Sequence, residues 1–95
     1  LPPAFFISSD ALAIGALRAL QEHGIHVPQD VSIISFNDTS IAKYIYPSLS
    51  TVTVFTEEMG KQALHILNQS LTSEDNPIPY MVKLSTKLTI RESSI

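Results

Sequence analysis

Two short apolar runs, Ala4 to Ile7 and Val31 to Phe36, each stop at a polar cluster: Ser8-Ser9-Asp10 after the first and Asn37-Asp38-Thr39-Ser40 after the second. A continuous apolar run is the pattern of a strand covered on both faces, as happens where crossover helices flank a parallel sheet. Parallel strands deliver their carboxyl ends to one edge, and ligands of such folds collect just beyond that edge. The repeated pairing of buried strand and polar terminus therefore reads as half of a binding site.

The intervening residues carry helix signals. Ser9 or Asp10 serves as an N-cap, Gly24 fits the left-handed position past a C-terminus and Pro28 follows, so a helix is expected from Asp10 to about His23. After the second strand, Asn37 to Ser40 has turn or cap chemistry, and a short helix carries Ile41 to Ile45 before Pro47. Thr51 to Phe55 alternates Thr with apolar residues and reads as a third strand. Thr56, Glu57 and Glu58 then cap and charge-match a helix running to about Ser70, with Met59, Ala63, Ile66 and Leu67 on one apolar stripe. Thr72 to Pro79 is the most loop-like segment, and Tyr80 to Leu84 and Lys87 to Ile90 are expected as short closing strands. Strands alternating with helices predict an α/β fold, a three-layer sandwich with a mainly parallel sheet built on right-handed crossovers. Three parallel strands make a thin core, and the chain starts with a loop rather than an initiator Met, so it is expected to be a fragment of something larger.

The totals exclude several classes. Ninety-five residues suit one compact domain, and 44% apolar with 16% charged residues is an ordinary globular balance. Six Lys and Arg residues that never cluster, in a chain of net charge -3, leave no footprint for nucleic acid. With no Cys there is neither a disulfide framework nor thiolate chemistry, which suits a cytoplasmic location, and no apolar run approaches the roughly 20 residues that span a bilayer.

Taken in order, the motifs resemble the LacI/GalR family of bacterial transcription regulators. The resemblance is carried by Phe6-Ile7-Ser8-Ser9-Asp10 with Ala13-Ile14-Gly15-Ala16, by Gly24-Ile25-His26-Val27-Pro28-Gln29-Asp30-Val31-Ser32, and by Ser35-Phe36-Asn37-Asp38. Pro47-Ser48-Leu49-Ser50-Thr51-Val52 and Leu88-Thr89-Ile90-Arg91-Glu92-Ser93 complete it. It implies that residues 1–95 are the C-terminal subdomain of an effector-binding core, one lobe of a type I periplasmic-binding-protein-like fold, without the helix-turn-helix domain and the N-terminal lobe. In such regulators a small effector, most often a sugar, sits between two lobes and alters dimer geometry, and with it the affinity for operator DNA bound by the separate domain. The alternative reading, with the same fold, is a lobe of an extracytoplasmic sugar-binding protein of a transport system.

The resemblance makes Asn37 an effector contact at a position where the family usually carries Asp after a Gly-Phe pair; here the neighbours are Ser35 and Phe36. An amide both donates and accepts, so it still binds a hydroxyl pair, but it brings no charge. Ser9 and Asp10 stand at a helix N-terminus that offers unpaired backbone donors, and Asp38 completes the expected effector set, with capping or turn formation as the competing role for each. The first helix has one stripe of Leu12, Ala13, Ala16 and Leu20 and a second belt from Ile14 and Leu17. With Ile41, Tyr44 and Ile45 this surplus is expected to form a homodimer interface. Arg18 and Lys43 read as solvated single charges.

Catalysis is not expected. A hydrolase would recruit Ser8 or Ser9, Asp10 and one of His23, His26 or His65, yet the chain has no Gly-x-Ser-x-Gly elbow, and His23 stands roughly 20 Å along the helix from Ser9. His23 and His26 straddle a helix end with only Glu22 beside them, a poor metal site. No cofactor, metal or membrane contact is expected.

Overall fold

The structure, a computed structural model, describes residues 1–72, 78–79 and 81–95. Its elements follow in the order β1 (Ala4–Phe6), α1 (Asp10–Glu22), β2 (Ser32–Asn37), a 3-10 helix (Ser40–Lys43), β3 (Ser50–Thr53), α2 (Thr56–Thr72) and β4 (Lys87–Thr89). The sheet order is β1-β2-β3-β4. β1 and β2 pair in parallel with Phe6 opposite Ile34, β2 and β3 in parallel with Asn37 opposite Thr53, and β4 runs antiparallel to β3 with Lys87 opposite Thr53. The first three strands thus share one heading, as the alternation of strand and helix predicts.

The chain divides into two compact units, Leu1–Val54 with Thr86–Ile95, and Phe55–Ser85. In the first, α1 begins where Ser9 accepts the N–H of Leu12 on its hydroxyl at 3.2 Å and the N–H of Ala13 on its carbonyl at 3.0 Å. It ends at His23, and Gly24 takes the expected left-handed turn with φ +69°. Ala13 and Leu17 pack with Ile33, Ala42 and Leu49 into the core, flanked by Ile7, Leu20, Val27 and Ile45.

Leu17 was expected on the outer belt and Leu12 on the inner stripe; the structure reverses them, with Leu17 4% and Leu12 61% exposed. Asp10, Ala13 and Leu17 form the inward row, so the helix is rotated to bury a carboxylate at its first turn. Ile33 and Ser35 point to the buried side, while Phe6, Ile34, Phe36, Val52 and Leu88 share the other face and are only partly covered or exposed.

β1, expected to be covered on both faces, pairs within this chain with β2 alone, and its three residues are exposed here. The C-terminal segment is tied to β2 and β3 through Ser93. Ser93 accepts the N–H of Ser50 at 2.8 Å and donates to the carbonyl of Ile33 at 2.6 Å, and its own carbonyl accepts the N–H of Ile33 at 2.8 Å.

In the second unit, α2 opens with the carbonyl of Phe55 accepting the N–H of Met59 at 2.9 Å, so the residue before Thr56, rather than Thr56, occupies the cap position. Met59, Ala63 and Ile66 of the apolar stripe line a shallow groove with Val82 and Leu84. Met81 to Leu84 form no strand, contrary to expectation; Tyr80 and most of the loop expected over Thr72 to Pro79 lie outside the described residues. Among the described residues, no helix is long and apolar enough to cross a membrane.

Candidate functional site

The parallel pairing brings the ends of β1 and β2 to one edge, and direct bonds tie them together there. Ile7 donates its N–H to the carbonyl of Ile34 at 2.8 Å, and Asp10, at the start of α1, reaches across to both β2 and β3. Its Oδ1 accepts from Ser35 Oγ at 2.5 Å and Thr51 Oγ1 at 3.2 Å, and its Oδ2 accepts from the backbone N–H of Thr39 at 2.6 Å and from Thr39 Oγ1 at 2.8 Å. The side chain is 1% exposed. Burial pushes the Asp10 carboxyl up, but the hydrogen bonds from Ser35, Thr39 and Thr51 outweigh that and hold it below its usual value. Asp10 is thus the hub that fastens the Asn37 turn to α1, and its oxygens are occupied.

Asn37 and Asp38 both have positive φ, 115° and 61°. Two successive side-chain-bearing residues in that region are sparsely populated in unconstrained chains and persist where their surroundings fix them. Asp38 supplies that constraint. Its N–H donates to Thr51 Oγ1 at 3.2 Å, its Oδ2 accepts from Thr53 Oγ1 at 3.0 Å, and its Oδ1 pairs with Arg91 at 2.9 Å. The Asn37 carbonyl accepts the N–H of Val54 at 3.3 Å, whereas its side-chain amide has no hydrogen-bond partner among the described residues. Asn37 is half-buried, so its amide is presented at the sheet edge with both donor and acceptor available.

Of the four expected effector residues, Ser9 and Asn37 lie at this edge, Ser9 with its hydroxyl accepting the cap bond. Asp10 and Asp38 are engaged in the supporting network. Ser35, Thr39, Thr51, Thr53 and Arg91 were not singled out by sequence reasoning, and their importance comes from register and turn geometry. Ser35 inside the apolar run of β2 and the Ser and Thr residues of β3 were the available signal, since polar residues at inward positions of a strand require buried partners.

A concavity of about 660 Å³ is elsewhere: it lies past the C-terminal end of α1 among Gly24, His26, Pro28, Tyr46, Pro47 and Glu92. It consists mainly of loop walls and lacks the convergent network of the Asn37 edge. A smaller groove of about 450 Å³ runs along the outer side of α1 between Ile14, Gly15, Arg18, Ile45 and Tyr46. Among the described residues, no group of three or more His, Cys, Asp or Glu stands together as a metal site.

The periplasmic binding protein-like domain family matches residues 1–94. The chain is 62% identical over 94 residues to the HTH-type transcriptional regulator GalR of Streptococcus thermophilus, covering 99% of this chain and 28% of that protein. It is 47% identical to the HTH-type transcriptional repressor MelR of Bacillus subtilis, covering 98% of this chain and 26% of the relative. It superposes on the transcriptional regulator CelR in complex with cellobiose with TM-score 0.90 and 34% identity, over 97% of this chain and 28% of the other. The chain therefore spans little more than a quarter of the length of these relatives. All three are transcriptional regulators, which favours the regulator reading over a transport-protein lobe.

Proposed function

This chain belongs to the periplasmic binding protein-like domain family, in its LacI/GalR branch of regulators, and from that premise we propose that it is the effector-sensing lobe of a transcriptional repressor. The effector is a small polyhydroxylated ligand, a sugar, gripped on this side by the Asn37 amide and by the turn at Ser9. The lobe performs no chemistry on it. A ligand that binds one arrangement of the full-length protein better than another shifts the population toward it, by no more than that difference in affinity. DNA is engaged by a separate domain, which makes the working compartment the cytoplasm. A homodimer formed through the outer side of α1 and the residues around Tyr44 carries the change between copies.

The observation that supports this reading best is the unpartnered Asn37 amide, set in a backbone conformation that a buried polar network maintains. The cellobiose complex of a structurally similar regulator supports a sugar as the ligand class. The test is thermal-shift screening of the full-length protein against galactose, cellobiose and related sugars, repeated on Asn37→Ala. A sugar that raises the melting temperature of the wild type is expected to bind the variant about tenfold more weakly, the effect of losing one or two polar contacts. An identical shift in both proteins removes Asn37 from the site.

A further inference from the structure

We infer that Arg91 is a positioning residue for ligand recognition: through Asp38 it holds the left-handed turn that presents the Asn37 amide, making the segment after β4 part of the sensor. The inference rests on the reading of Asn37 as a ligand contact. One guanidinium nitrogen, Arg91 Nη1, donates to the carbonyl of Leu49 at 2.8 Å and pairs with Asp38 Oδ1 at 2.9 Å. The two side chains are 18% and 17% exposed, so the pair is shielded from solvent and geometrically fixed rather than a loose surface contact.

Leu49 is fully buried at the entrance to β3, which anchors Arg91 to the core. On its far side Asp38 accepts from Thr53, whose hydroxyl also meets Thr89 of β4 at 2.6 Å. Thus the carboxylate next to Asn37 is clamped between β3 and the residues following β4. Positive φ at Asn37 and Asp38 is costly without such a clamp, and a relaxed turn would swing the amide away.

The experiment is a double-mutant cycle on the full-length protein, reading the Kd of whichever panel sugar gives the strongest wild-type shift, alongside the ligand-free melting temperature. Arg91→Met keeps the aliphatic stem and is expected to weaken binding about tenfold, while in the Asn37→Ala background it costs less than about twofold. Because a single nitrogen serves both acceptors, Arg91→Lys is expected to restore most of the affinity. If Arg91→Met weakens binding equally in both backgrounds, or lowers only the melting temperature, the positioning role is overturned while the Asn37 reading stands. If Asn37→Ala itself leaves the Kd unchanged, the underlying reading falls and this inference with it.

Discussion

A carboxylate that is buried and accepts four hydrogen bonds is kept charged by its donors, and Asp10 is in that position. Removing it strands the Ser35 and Thr51 hydroxyls and the Thr39 N–H, so Asp10→Ala is expected to destabilise the protein by about 3 kcal/mol, measurable as a shift of the urea midpoint. The pH dependence follows from the same bonds. Its native pKa is lowered from 3.8, so the contribution is fully present above 3.8 and disappears as pH falls through the lower native value. Asp10→Asn is expected to abolish that part of the acid slope; an unchanged slope would mean that the donors do not favour the charged form. The sequence places Asp10 at this edge, with effector contact and helix capping as its competing roles, and the structure adds a third, the anchoring of the neighbouring turn and strands. A residue after a strand has the same local pattern whether its side chain turns outward or inward, and the partners that decide the matter, Thr39 and Thr51, are distant in sequence.

The elements most legible in the chain were those whose signals are local. α1 is bounded by Ser9 and Gly24, and both perform the roles that their chemistry favours. Gly24 has φ +69° and open space where a Cβ would stand, so Gly24→Ala meets no steric obstacle and pays only for the left-handed backbone. Its expected cost is about 1 kcal/mol in chemical denaturation, with sugar affinity unaltered; a change in affinity would mean that this end of the helix communicates with the Asn37 edge. Less legible were properties set by neighbours. β1 has a buried-strand sequence, and how far it is covered depends on what packs against it rather than on its own residues. The rotation of α1 that buries Leu17 in place of Leu12 follows from Asp10 being drawn inward, which a periodicity based on apolar residues alone does not register.

On the scale of the whole molecule, the outer side of α1 distinguishes a monomeric lobe from a dimerising one. Leu17 is in the core, so the available apolar surface is narrower than the sequence belt: Ile14 and Ile45 are half-buried beside a groove, Ile41 is exposed, and Tyr44 is 77% exposed with Lys43 above its ring at 5.2 Å. Exposed apolar side chains on these neighbouring segments favour a self-complementary contact, in which each copy presents the same residues to the other. A charge placed at Ile14, beside the groove, would be desolvated on association, at a cost of several kcal/mol, while remaining hydrated in the monomer. Ile14→Glu in the full-length protein is therefore expected to shift sedimentation toward the monomer, with sugar binding to the isolated subunit retained because the Asn37 turn is held by Asp10, Asp38, Thr39, Thr51, Thr53 and Arg91 and not by Ile14. Arg18→Glu, on the same groove but already exposed and paired with Glu22 at 2.8 Å, is expected to have a smaller effect. If Ile14→Glu sediments like the wild type, the copies meet through another surface, and the exposed tyrosines around the groove need a different explanation.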